Sequence, residues 1–404
     1  MTIKILENNH FPFEVEKIFQ IFNLEESDSI RLVGGCVRDL FLQKQIKDFD
    51  FACKFLPEKI IEILEKNNIR AVPTGIKYGT ITAVINHKNF EITTLRKDVE
   101  NDGRYPKTEF VDDYFLDASR RDFTINALYL DEEGKIYDYF DGIPDLQNQK
   151  VKFIGDANLR INEDFLRIFR FFRFSCFYAK NLDNQGFQAC VKNKNGIKTL
   201  SSDRIRIEFF KTLESDDDKK LLEILTAIKD TKIADEISLY DLEISDLENI
   251  LNLARSLKIR LSSHIKFAFL ILNQHKNLQE IFSRFNFSND EKKYFSFLFS
   301  AKKSLKKLLV SQEKNWVYDF YLLRFVDDLN VDIAKIKSDL DYIKNFQMPI
   351  FPLNGEDFIA LGFFGKEVGD LLTKARNIWI EKDFNGDRIE LLKLVLGNKY
   401  DVEK

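Results

Sequence analysis

The sequence predicts an α+β protein, with a mixed strand-and-helix head followed by a long all-helical remainder. Three observations carry this. Strand-like runs are confined to the first 140 or so residues. Past about position 155 the apolar residues recur at helical spacing. The composition holds 39 Phe but only 16 Gly and 7 Pro, which favours packed helices over loops. At 404 residues, 44% hydrophobic and 31% charged, the chain is globular and long enough for several domains.

In chain order, "SIRLV" reads as a buried strand and "CVRDLFL" as a short helix. "FDFAC", "GTITAVI" and "FEITTL" read as strands, the last two joined through "NHKN" as a hairpin. Residues 97–117 are polar, carry Gly103 and Pro106, and read as a mobile loop. "NEDFLRIFRFFRF", "SDRIRIEFFKTL", "HIKFAFLILNQ" and "LLTKARNIWI" each show helical periodicity, with "SSDRI" and "LESDDDKK" as helix boundaries. No repeat of solenoid type interrupts this order.

Residues 31–51, "RLVGGCVRDLFLQKQIKDFDF", hold the densest chemistry. Alternate residues of a strand share a face, so Asp48 and Asp50 are expected to point together, with Phe49 and Phe51 turned into the core. Two adjacent carboxylates repel unless a cation lies between them, and oxygen ligands at this spacing suit Mg²⁺. Gly34 and Gly35 fall where strand passes to helix, so the backbone can approach a phosphate there. Arg38, one turn on, is placed to clamp a triphosphate. Glu91 is a candidate third carboxylate. A Gly-Gly turn or an Asp-Phe strand alone is usually structural; strand, Gly-Gly, Arg and Asp-x-Asp within about 20 residues is specific for a nucleotide-plus-metal site.

In "EDFLRIFRFFR", Asn162 suits an N-cap, and Glu163 and Asp164 suit a first turn. Asp164, Arg167, Arg170 and Arg173 recur every third residue, a gently drifting ridge among core phenylalanines. A surface ion pair would be the bland reading. Three arginines among so many Phe instead ask for anionic partners, since unpaired buried arginine is costly.

Net charge is −4, so nucleic-acid binding needs a local basic surface. Residues 160–211 supply one, with eleven Lys/Arg against five Asp/Glu; Arg204 and Arg206 are its RNA-binding candidates. "KKSLKK" (302–307) is better read as a solvated face. Four cysteines without paired spacing, no signal-peptide pattern and no long apolar run indicate a cytoplasmic protein with no membrane segment.

These stretches resemble the class II tRNA nucleotidyltransferase and bacterial poly(A) polymerase family. "LVGGCVRDLFL" with "KDFDFA" matches its first signature. "RRDFTINALY", "YDYFDGIPDL", "NEDFLRIFRFFRF" and "LSSDRIRIEFFKTL" follow in family order, and "FPLNGEDFIALGFFGKEVGDLL" is similar to the tail of CCA-adding members. The resemblance implies a polymerase-β-like nucleotidyltransferase head (1–145), a helical neck (146–215), a helical body (216–340) and a tail (341–404). It implies that Asp48 and Asp50 bind metal, and that Gly34, Gly35 and Arg38 contact nucleotide. Arg121 and Asp122 fall in a triphosphate- and ribose-recognising motif, and Asp164, Arg167, Arg170 and Arg173 on a nucleotide-binding helix. Glu91 is a weaker match.

The implied activity is addition of C, C and A to tRNA 3′ ends from CTP and ATP with Mg²⁺. An ionised Asp accepts hydrogen bonds and an Arg donates them. Cytosine and adenine each present an amino donor beside a ring-nitrogen acceptor, so Asp164 with Arg167 can select both without a template. A poly(A) polymerase, or an enzyme adding only CC or only A, shares these motifs; "PTGIKYGTITAV" and the full-length 97–117 segment favour complete CCA addition. A catalytically dead RNA-binding protein conflicts with intact Asp48 and Asp50. An appended phosphohydrolase is excluded, because none of the four histidines forms a His-Asp pair.

Overall fold

The fold is that of a computed structural model, which describes residues 11–100, 107–300, 305–324 and 332–397. It divides into two compact units. One comprises Met1–Tyr240 with Ser283–Asn286, the other Asp241–Phe282 with Phe287–Lys404.

The first unit holds the sheet. Helix α1 (Phe13–Asn23) precedes β1 (Ile30–Val33), α2 (Gly35–Phe41), β2 (Asp50–Cys53) and α3 (Pro57–Lys66). Then come β3 (Arg70–Gly75), β4 (Thr80–Ile85), β5 (Lys88–Thr94), β6 (Arg96–Glu100) and β7 (Lys107–Phe110). Helix α4 (Tyr114–Ser119), β8 (Leu128–Leu130), β9 (Ile136–Asp138) and α5 (Gly142–Gln147) complete the head. Seven strands form one sheet in the order β3-β4-β5-β2-β1-β8-β9. Only the β2–β5 pairing is parallel, which makes the sheet mixed. The β4–β5 hairpin closes through Asn86 and His87, with φ of 49° and 62°, the left-handed pair that a twisted two-residue hairpin requires.

One face of the sheet is buried under α1, where the Phe19 ring meets Phe51 edge-on at 5.5 Å. The opposite face carries the polar residues described below. Strand β2 begins at Asp50, so Asp48 lies in the irregular segment leading into it. Phe51 is fully buried, whereas Phe49 is half-buried, so the expected Phe49 core position is corrected: alternation operates only once pairing begins. The expected loop at 97–117 is also corrected. Strands β6 and β7 pair as a separate antiparallel ribbon and α4 follows; Asp102, Gly103, Arg104 and Pro106 lie outside the described residues.

Helices α6 (Ala157–Glu163), α7 (Leu166–Tyr178), α8 (Asn184–Asn193), α9 (Ser202–Leu213) and α10 (Asp218–Asp230) finish this unit. The single helix expected to start at Asn162 is in fact two. Asp164 breaks the path, with φ −156° and ψ 105°, and its carboxylate accepts from the Leu166 N–H at 3.1 Å. Asp therefore acts where Asn162 was expected to, as the side chain that satisfies a free N–H at a helix start.

The second unit is helical throughout its described residues, from Ile244–Leu257 to Arg388–Leu396. Its phenylalanines pack on one another, as Phe267 on Phe295 at 5.6 Å, and a further core gathers Phe358, Trp379 and Leu391. Lys306 and Lys307 pair with Asp383 and Glu381, which fits a solvated face. No helix among the described residues is long and apolar enough to cross a membrane.

Candidate active site

A cavity of ≈ 570 Å³ opens on the polar face of the sheet. Its wall includes Gly34, Gly35, Arg38, Asp50, Glu91, Arg121, Asp122, Asp164, Arg167, Arg170 and Arg173. Twelve of the fourteen expected site residues are either in this wall or tied to it. Arg206 is half-buried on α9 and outside the wall, and Asp48 is exposed just ahead of β2.

The carboxylate end is set by strand register. Asp50 and Glu91 are direct partners across the parallel β2–β5 pair, so both project from the same face. Asp50 sits in a recess that is open to solvent but walled by protein. Burial there, then Glu91, push its carboxyl up to about 6; Arg121 pulls it down and Asp48 adds to the rise. Among the described residues no three Asp, Glu, His or Cys side chains stand close enough to hold an ion by themselves. Two crowded carboxylates and an incomplete shell suit a hard divalent cation whose remaining ligands are water and phosphate oxygens.

The raised carboxyl also predicts a stability effect. Asp50 ordinarily ionises near 3.8, so as pH rises from there to about 6 the unfolded chain loses a proton that the folded chain keeps. Folding stability from this group falls across that window. In a chelator-containing buffer Asp50→Asn should therefore melt higher than wild type at pH 7.5, with the difference shrinking toward pH 4. Equal differences at both pH values would remove the repulsion from the account.

The arginine end begins at Gly34. Its φ of +76° is a glycine conformation, and a Cβ would stand 3.3 Å from an Arg121 nitrogen. Arg121 is fixed by Asp117 at 3.1 Å and by the Tyr129 hydroxyl. Despite burial, the Arg121 and Arg120 charges hold the Asp117 carboxyl well below the usual range. Arg38 donates to the Asn126 side-chain oxygen at 2.6 Å, and Asn126 donates to Asp122 at 3.2 Å. Seven arginines line the cavity against four carboxylates, a surplus of positive charge that suits a polyphosphate.

The arginines of α7 already have anionic partners in the protein. Arg170 meets Asp122 at 2.5 Å and Glu208 at 3.5 Å; Arg173 meets Glu208 at 2.7 Å. Arg167 meets Glu163 at 2.5 Å and donates to the carbonyls of Arg160 and Arg120. Phosphate is thus not needed to neutralise the ridge. Arg167 still keeps its Nε–H and one further N–H for a ligand.

Arg204 is exposed on α9 and pairs with Asp164 at 2.6 Å. The basic run at 160–211 is largely compensated in the same way, with Lys198 beside Glu236 at 3.3 Å.

Sequence reading missed Asn126, Asp117 and Glu208. The first and last lie inside quoted motifs, four residues after Asp122 and two after Arg206, but only the fold shows what they hold.

Residues 30–152 match the model of the poly A polymerase head domain. The chain is 33% identical to the mouse mitochondrial CCA tRNA nucleotidyltransferase 1, over 92% of this chain and 87% of that protein. It is 33% identical to the CCA-adding enzyme of Streptococcus sanguinis, over 82% of this chain and 81% of that one. Its fold is similar to the Bacillus stearothermophilus CCA-adding enzyme in complex with CTP, at TM-score 0.75 and 22% identity, covering 95% and 96% of the two chains. The Thermotoga maritima CCA-adding enzyme complexed with tRNA is similar at TM-score 0.70 and 19% identity, covering 98% of each.

Proposed function

The chain belongs to the family of CCA-adding tRNA nucleotidyltransferases, and from that premise we propose that it adds C, C and A in turn to the 3′ end of tRNA from CTP and ATP. The observation that carries the reading is one cavity joining the Asp50–Glu91 pair, the arginine cluster and the Asp164/Arg167 pair. The named relatives favour CCA addition over poly(A) tailing, although the head is common to both.

In the reaction, the terminal 3′-hydroxyl of tRNA attacks the α-phosphate and pyrophosphate leaves. Arg38 and Arg121 hold the phosphates. Asp122, buried and paired with Arg170, faces the ribose. Asp164 accepts from the amino group of C or A while Arg167 donates to the adjacent ring nitrogen; U and G reverse that pattern and leave both groups unpaired. Enzymes of this family use divalent metal ions, and we assign Mg²⁺ to Asp48 and Asp50, with Glu91 beside them. When bound, the metal lowers the cost of ionising the hydroxyl and neutralises charge on the phosphates. Positioning and electrostatics supply the rest.

Within this reading, 1–145 serves as catalytic palm, 146–215 as neck, 216–340 as body and 341–404 as tail. The four cysteines are buried and outside any disulfide, as suits a reducing compartment such as the cytoplasm.

With tRNA lacking its 3′ end, CMP should be incorporated from CTP alone, and AMP only once CTP is also present. Incorporation of UMP or GMP at comparable rates would overturn the assignment. Because Arg204 touches Asp164, Arg206→Glu is the cleaner probe of RNA binding. It should weaken tRNA affinity and flatten its salt dependence by about one charge, with the KM for CTP unchanged. An unaltered salt slope would take α9 out of the RNA surface.

A further inference from the structure

Arg38 is 6% exposed, and its guanidinium is held from three directions. Its Nε and one terminal nitrogen donate to the two oxygens of Asp39 at 3.0 and 3.1 Å. The other terminal nitrogen donates to Asn126. The ring of Tyr178 lies against it, 4.2 Å from centroid to guanidinium carbon. The Tyr178 hydroxyl donates at 3.0 Å to Asp39 Oδ1, the oxygen that also accepts from Arg38 Nε.

We propose that Tyr178 is a positioning residue for the phosphate end of the site, fixing Arg38 directly through its ring and indirectly through Asp39. This rests on the reading of the cavity as a nucleotide site.

The geometry of donors supports it. Three of the five Arg38 N–H groups are committed to Asp39 and Asn126, which leaves one on each terminal nitrogen for a phosphate oxygen. The direction of those two is set by the Asp39 fork, and Tyr178 holds one prong of that fork. Burial pushes the Tyr178 phenol up to about 12, so it remains a donor throughout the neutral range.

The location gives this contact its consequence. Tyr178 is the last residue of α7, the helix whose first turn presents Arg167 to the base. The same helix reaches Arg38 by a second route, from Arg170 through Asp122 and Asn126. Arg167 and Tyr178 are eleven residues apart, about 16 Å along the helix at 1.5 Å per residue. One rigid element therefore sets the spacing between the group that reads the base and the group that holds the phosphates.

The test is steady-state kinetics of Tyr178→Phe and Tyr178→Leu with CTP and with ATP, plus inhibition by inorganic pyrophosphate, which has no base to read. Tyr178→Phe keeps the ring and loses the hydroxyl. It should raise the KM for CTP and for ATP alike by about three- to tenfold, the scale of the net contribution of one ordinary hydrogen bond. Pyrophosphate inhibition should weaken by the same factor, while kcat and the preference for CTP over UTP stay at wild-type values. Tyr178→Leu should shift both constants further. A purely structural role would lower the melting temperature without moving KM and pyrophosphate inhibition together. Wild-type values of both constants in Tyr178→Phe would overturn the proposal, as would a KM rise without weaker pyrophosphate inhibition. If Tyr178→Leu does not fold, the phenylalanine variant decides alone. If the wild-type protein itself fails to incorporate CMP, it is the nucleotidyltransferase reading that fails.

Discussion

Asp50→Ala should lower kcat for CMP transfer by at least about a hundred- to a thousandfold, the scale seen when a single preorganised electrostatic group is removed. The side chain stands at the start of β2, the central strand of the sheet, in a recess open to solvent, and the next residue, Phe51, stays fully buried. Its loss removes repulsion and creates no cavity, so the variant should fold and melt at or above the wild-type temperature. Asp48→Ala should be similarly inactive. CTP binding measured without turnover should persist in both, because the arginine wall is untouched. A folded Asp50→Ala protein that turns over within tenfold of wild type would place the metal elsewhere.

Asp164→Ala should cost discrimination more than turnover. Wild type is expected to prefer CTP over UTP, and ATP over GTP, in kcat/KM. The variant should lose about 10- to 100-fold of that preference, since one bidentate base contact contributes about 1–3 kcal/mol. Arg167→Ala should weaken CTP and ATP alike. The structure adds a distinction between the two. Asp164 is shared with the Leu166 N–H and with Arg204, so its removal also frays the start of α7. Asp164→Asn keeps an acceptor for Leu166 but brings an amide N–H to the pocket, and should tilt preference toward UTP. If both variants keep the wild-type order of the four nucleotides and merely melt earlier, the helix is scaffold and the bases are chosen elsewhere. A surface ion pair would give that outcome, at a cost of about 0–1 kcal/mol.

The carboxylate and arginine ends of the site were legible because their chemistry is local. Gly34, Arg38 and Asp50 occur within one short stretch, and a strand followed by a tight turn leaves few ways to arrange them. The Asp50–Glu91 pair was half legible. Both carboxylates stood out, but their register follows from a parallel pairing between strands 41 positions apart, which no local pattern encodes. The break at Asp164 was hidden because its neighbours keep helical spacing on both sides; two short helices and one long one give nearly the same periodicity. The partners of the α7 arginines were hidden for a different reason. Asp122 and Glu208 come from segments 48 and 35 residues away from the arginines they meet, Arg170 and Arg173, and charge counting along the chain cannot tell a compensated interior from a basic surface. Counting eleven basic residues over 160–211 overstated the free positive charge there for that reason. The 97–117 segment misled through composition, because two short strands rich in polar residues look like loop in sequence.

One cavity, with no nucleic-acid template, should add three nucleotides of fixed identity and then stop. Product length on a sequencing gel tests this most directly, with trimmed tRNA, Mg²⁺ and both CTP and ATP supplied in excess. The expected product is three residues longer, ends in A and does not grow with time. A ladder of adenylates lengthening with incubation, or a product that halts after two residues with ATP present, would contradict it.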